Sequence, residues 1–142
     1  MATCASRRET LPSIGITHII EHPSLVDLLL KLSQEMHSEE YILLLIDIHD
    51  YCNSDACHRA EKASFIYETY ISPTSPMDVG ASQQTIRNIE RRMCEEKVEP
   101  GADIFLDLEC EVIRCTEDIL TKFKLQHGAT CVEIINQQIV FN

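Results

Sequence analysis

Four side chains in this sequence, His49, Cys52, Cys57 and His58, combine the donor types and the proximity that a soft metal ion needs. On a helix His49 lies about one turn before Cys52, and Cys57 and His58 are adjacent. Structural zinc sites, however, take four Cys or His donors at paired, short spacings, and this run fits none of the common patterns. Cys is also among the side chains most often buried as a small hydrophobe. The seven cysteines, Cys4, Cys52, Cys57, Cys94, Cys110, Cys115 and Cys131, are odd in number and lack the dense even spacing of a secreted disulfide scaffold. Reduced thiols in the cytosol are therefore expected.

Nucleophilic chemistry fares no better. A reactive thiol needs a basic, partly open setting. Cys110 lies between Glu109 and Glu111, and Cys115 follows Arg114 but precedes Glu117 and Asp118. There is no GxSxG, phosphate loop or HExxH, and a chain with only four glycines holds no glycine-rich turn. From these residues we expect no metal, no cofactor and no active site. A thiol or metal protein built on Cys52, Cys57 and His58 stands as the alternative from another class.

The charge balance narrows the partner. Asp and Glu number 23 against 12 Lys and Arg, a net charge of −11. Such a field repels phosphates, which argues against nucleic acid and against an anionic membrane, and it favours a basic protein surface. Abundant carboxylates on a helical protein are otherwise a solvated face. With 142 residues, 44% of them hydrophobic, the chain suits one core and one domain. The opening MATCASRRET is not followed by an apolar stretch of signal-peptide length, and no run approaches a membrane span. Ala2 excludes the N-myristoylation pattern, and Cys4 beside Arg7 and Arg8 is a lone acylation candidate.

The elements that would position any surface read as helices. Leu25, Leu28, Leu29 and Leu32 recur at i, i+3, i+4, i+7, after Ser24 as N-cap. The run SEEYILLLIDIHDYC, Ser38 to Cys52, is apolar enough for a buried strand. It does not alternate, meets no turn residue before Asn53, and places Glu39 and Glu40 where a helix starts, so a helix buried on most sides is predicted. Ala56, Ala60, Ala63, Tyr67, Tyr70 and Ile71 line a third helix, stopped by SPTSP.

Ser82 opens a fourth helix with Ile86, Ile89 and Met93 on one face, and VEPGAD separates it from a fifth turned inward through Ile104, Phe105, Leu108 and Val112. Thr116, Glu117 and Asp118 form a cap and first turn leading to Ile119, Leu120 and Phe123, with HGA as the stop. The β-branched remainder, TCVEIINQQIVFN, suggests an extended tail packed on the domain. The expected organisation is a short polar N-terminal segment at 1–20, an all-α domain with a central antiparallel helix cluster at 21–127, and the tail at 128–142.

Two of these stretches, LVDLLLKLSQEMHSEEYILLLIDIHDY and AEKASFIYETYIS, resemble the regulator of G-protein signalling (RGS) homology domain. That family places Ser-Glu-Glu-Asn before a buried Ile-x-Phe-Trp helix, then an Ala-x-x-Ile-Tyr-x-x-Tyr-Ile helix. Ser38-Glu39-Glu40-Tyr41, then Ile42, Leu44 and Leu45, then Ala63, Ile66, Tyr67, Tyr70 and Ile71 hold these places. PMDVGASQQTIRNI is similar to the family's loop and following helix, and IFLDLECEVIRCTEDILTKF to its paired late helices, one residue shorter than usual.

The resemblance implies a partner, the GTP-bound α subunit (Gα) of a heterotrimeric G protein, and a role in speeding its GTP hydrolysis. No nucleophile or base would be supplied, because Gα carries its own arginine and water-orienting glutamine. Holding the switch segments in their transition-state arrangement suffices, and a hundredfold acceleration needs about 2.7 kcal/mol of preference for that state.

By position, the resemblance assigns Glu40 and Tyr41 to the first switch, Asp78 to the loop that reaches the catalytic glutamine, and Asp118 and Lys122 to the late-helix contact, with Phe123 as the core aromatic behind them. It also implies a cytoplasmic monomer, brought to the inner face of the plasma membrane only through Gα. The pattern departs at both contact asparagines. Tyr41 keeps only a hydroxyl, and Asp78 is acceptor-only where an amide would both donate and accept. Thr121 precedes Lys122, and Ile119 holds a usually polar place. An RGS-like interaction module without activating ability is the second reading that these departures allow.

Overall fold

The structure, a computed structural model, describes residues 11–141, so Ala2, Cys4, Arg7 and Arg8 lie outside the described residues. Among the described residues all regular structure is helical, as expected, and no helix is long and apolar enough to cross a membrane. The chain divides into two compact units, Ser38–Cys115 and the two flanking segments taken together.

The Ser38–Cys115 unit is organised by α3, Glu39–Cys52, the helix whose sequence admitted a strand. Ile42, Leu44, Leu45, Ile48 and Tyr51 are all buried on it, over about half of its circumference, a face broad enough to need more than one neighbouring helix. It packs against α4, Ala56–Ile66, and α6, Leu106–Cys115. The three residues between α3 and α4 turn the chain straight back, as in an αα-hairpin. α4 then widens into a π-helical segment, Tyr67–Ile71, where the Ser72 amide reaches the Tyr67 carbonyl at 2.9 Å. α5, Gln83–Glu95, presents Thr85 and Ile89 to the core.

Burying Tyr51 obliges its hydroxyl to find an acceptor. It donates to the Gly101 carbonyl at 2.7 Å, and its ring meets Phe105 edge to face, 5.1 Å between centroids. Burial pushes the phenol up to about 12, so it remains a donor at neutral pH. Gly101 is held from its other side by Glu96, which accepts the Gly101 amide at 2.7 Å and Arg92 Nε at 2.8 Å. Arg92 also reaches Asp103 at 2.9 Å. A Cβ on Gly101 would come within 2.6 Å of Arg92 Nη2, so a larger residue in VEPGAD would make the Arg92 side chain shift.

The second unit holds a 3-10 turn, Leu11–Ser13, α1, Ile16–Ile20, α2, Pro23–Glu35, and α7, Glu117–Phe141. α2 begins two residues earlier than the Ser24 cap predicts. Pro23 fills the first helical position, where its missing N–H and fixed φ suit the helix.

Two expectations are corrected in this unit. Residues 11–20 are not a polar segment: Ile14, Ile16, Ile19 and Ile20 are buried, and α1 packs on α2 and α7. The C-terminal stretch is not extended either, because α7 continues through HGA to Phe141, bent at His127 (φ −132°, ψ 17°). Cys131 and Ile135, one turn apart, are both buried. Packing on one face thus overrides the weak strand preference of β-branched residues. Gly128 is small because Leu11 lies against it, and an added Cβ would meet Leu11 Cδ2 at 3.1 Å.

Ile135→Ala is expected to destabilise the protein by about 2–5 kcal/mol in urea unfolding, the cost of a cavity in a packed helix face. A change below about 0.5 kcal/mol would instead mark a peripheral residue on a tail that does not pack.

Candidate partner-binding surface

Glu40 and Tyr41 lie in the first turn of α3, where the helix N-terminus favours acidic side chains. Both are half-buried. Burial, with the nearby charges of Cys115 and Glu40, raises the Tyr41 phenol above its ordinary value. It therefore stands at neutral pH as a donor on a large, partly covered ring. The chain reaches this turn through His37, which takes the left-handed conformation at φ 55° after α2 ends.

Asp78 is exposed on the loop between the π-helical segment and α5. Its Oδ1 accepts the Gly80 amide at 2.8 Å, closing a turn in which Gly80 adopts φ 67°. The turn, not crowding, is what calls for glycine there, since a Cβ would meet nothing within 4 Å. The loop is tied to the π-helical segment by the Met77 amide on the Thr69 carbonyl at 3.1 Å and by the buried Val79, whose amide reaches the Tyr70 carbonyl. A cleft of about 470 Å³ beside it is lined by Ile71, Pro73, Asp78, Ile86, Arg87 and Glu90 among others, and by neither Glu40 nor Tyr41.

At its far end the loop is fastened by a residue the sequence did not single out. Glu111, on α6, accepts the Ser82 amide at 2.9 Å, the Ser82 hydroxyl at 3.0 Å and the Thr85 hydroxyl. Ser82 in turn accepts the Thr85 amide as N-cap of α5. Burial pushes the Glu111 carboxyl up, but these three hydrogen bonds outweigh it and leave the group below the ordinary glutamate value. No spacing rule links positions 82 and 111, so only the folded chain discloses the pair.

Asp118 and Lys122 belong to the other unit, exposed one turn apart at the start of α7. Phe123 behind them is fully buried. Thr121 turns its hydroxyl to the Glu117 carbonyl at 3.0 Å, a local bond within the helix.

The four residues drawn as a metal site do not converge. Cys52 approaches the Ala102 carbonyl at 3.4 Å, and His49 lies beside Asn53. Cys57 and His58 join Asp55 instead, with donor atoms within 4.8 Å of one another and all three side chains exposed. These are three donors rather than four, set at the positively polarised start of α4, where a cation is disfavoured.

The model of the family described as the regulator of G protein signaling domain matches residues 15–127. No curated protein matches the chain.

Glu111→Ala is expected to cost about 1–3 kcal/mol in urea unfolding, because it strands the Ser82 and Thr85 donors. The difference should depend on pH. A carboxyl held below its unfolded value contributes fully above the unfolded value and loses its contribution as pH falls through the lower, folded one. Wild type and variant should therefore converge as the buffer is acidified below the ordinary glutamate range, and a pH-independent gap would contradict this account.

Proposed function

Because the chain belongs to the regulator of G protein signaling domain family, we propose that it binds the GTP-bound α subunit of a heterotrimeric G protein and accelerates GTP hydrolysis. The observation that carries this reading is the extent of the family match, which spans Glu40, Tyr41, Asp78, Asp118 and Lys122. Members of this family typically act as GTPase-activating regulators without a catalytic site of their own, and the contribution proposed here is likewise purely conformational. Glu40 and Tyr41 would engage the first switch, the Asp78 loop the region of the catalytic glutamine, and Asp118 with Lys122 a further switch contact. Binding that favours the transition-state arrangement lowers the barrier by the same free energy.

Three features suit the role. The Tyr41 hydroxyl is a standing donor, the Asp78 loop is fastened at both ends, and Asp118 and Lys122 present exposed charges on one helical face. A loop fixed before binding loses little entropy on binding. Asp78 limits the activity, since its carboxylate already holds the Gly80 amide and would be repelled by nucleotide phosphates. That same observation favours the second reading, an interaction module that binds without activating. The setting we propose is the cytoplasmic face of the membrane, reached as a monomer through Gα.

Single-turnover GTP hydrolysis by a panel of Gα subunits, with and without the chain, tests the proposal. Acceleration of at least one subunit is expected, reduced about tenfold or more by Glu40→Ala or Asp118→Ala, the range of central interface residues. Asp78→Asn should raise the rate. Binding to the GDP–aluminium fluoride form of Gα without acceleration would select the module reading, and no binding to any subunit would reject both.

A further inference from the structure

A second surface, sharing no residue with the proposed Gα contacts, lies in the groove between α3 and α4. It encloses about 330 Å³ and is lined by Asp47, Asp50, Glu61, Lys62, Phe65 and Ile66. The groove floor is apolar at Ile66, which is buried, while Phe65 beside it is 58% exposed. A phenyl ring this open at the edge of a concave surface presents an aromatic face that a partner could cover.

The polar lining specifies what would cover it. The only amine in the lining, Lys62, is held by Asp50 at 2.8 Å. Asp47 is half-buried and accepts the Tyr70 hydroxyl at 2.5 Å, a neutral donor that satisfies part of the carboxylate and neutralises none of it. Glu61 is exposed on the facing helix. Two carboxylates without a cation thus flank an open phenyl ring. An acidic segment would be repelled, and a purely apolar one would desolvate Asp47 without compensation.

Arginine meets both demands. Its guanidinium pairs with carboxylates in a fixed fork and also lies favourably on an aromatic face. The net charge of −11 would draw such a partner in from a distance. The π-helical segment is an independent sign. Its wide turn carries Tyr70, whose hydroxyl holds Asp47. Segments of this kind concentrate at functional sites.

We propose that the α3–α4 groove is a docking site for an arginine-bearing segment of a basic partner protein, with Phe65 as its platform and Asp47 and Glu61 as its counter-charges.

The probe is a fluorescein-labelled peptide, Gly-Leu-Arg-Ala-Leu-Arg-Gly, with a second peptide carrying Glu for each Arg. Fluorescence anisotropy with the full chain should show saturable binding of the arginine peptide, weakened by raising salt to about 0.15 M. In a 15N-labelled sample the amide shifts should cluster on α3, α4 and the π-helical segment. Phe65→Ala should weaken binding about fivefold, the scale of an exposed cation–π contact. Glu61→Gln should weaken it about threefold, the scale of a partly exposed ion pair.

Both substitutions are at exposed positions, and an unchanged urea midpoint would show that the fold is kept. Glu99→Gln, on the exposed connection between α5 and α6, removes the same charge and should leave affinity within about twofold. Equal weakening by Glu99→Gln, unaffected binding by Phe65→Ala, comparable binding of the glutamate peptide, or no saturable binding would each overturn the proposal. None of these outcomes depends on Gα, so this surface and the Gα reading stand or fall separately.

Discussion

The apolar face of α3 cannot be left open to water. Ile42, Leu44, Leu45, Ile48 and Tyr51 are buried along about half of its circumference, and α4 and α6 are laid against it. Burying its tyrosine then demands an acceptor, which the Gly101 carbonyl provides, with the Arg92 guanidinium packed close against Gly101. From the burial of this one face follows the path of the connection between α5 and α6, and with it the course of the Ser38–Cys115 unit. Glu40 and Tyr41 are fixed at the open end of the same helix.

Polar groups then decide what the remaining loop can do. Asp78 closes its own turn on Gly80, and Glu111 clamps the start of α5 from another helix. Both are carboxylates holding backbone amides, and each makes the loop rigid without covering it. Rigidity of this kind would suit the conformational role proposed here, because a yielding surface would follow a partner instead of selecting one of its states. The cost is chemical. A carboxylate engaged in a turn offers a partner acceptor capacity alone, where an amide could donate as well as accept.

The acidic composition has more than one local meaning. At the start of α3 and of α7 carboxylates stand at helix N-termini, where the backbone favours them. Around Glu96 and Asp103 they hold Arg92 and fasten a loop. Between α3 and α4 they face an open phenyl ring and a single paired lysine, and Asp47 holds the Tyr70 hydroxyl. The same residue types therefore serve as caps or clamps, and in the proposed groove as recognition groups, according to what the fold places beside them.

The all-helical class, the identity of α3 as a helix and the order of elements that carries the family resemblance were legible in the sequence. Each rests on periodicity and end signals within some fifteen residues, and local sterics act over that range. The proposed contact positions, Glu40 and Asp118 among them, rest on the same kind of short patterns in a fixed order. What could not be read locally was decided by tertiary packing. β-branched content suggested an extended end, yet burial of Cys131 and Ile135 on one face keeps α7 helical to Phe141. Isoleucines near the start of the chain proved to be core, Gly128 a point of contact with Leu11 rather than a stop, and Glu111 the clamp on a loop 29 residues away. In each case the free energy that settles the outcome lies in contacts between residues distant along the chain, and the pattern of neighbours in sequence carries no record of them.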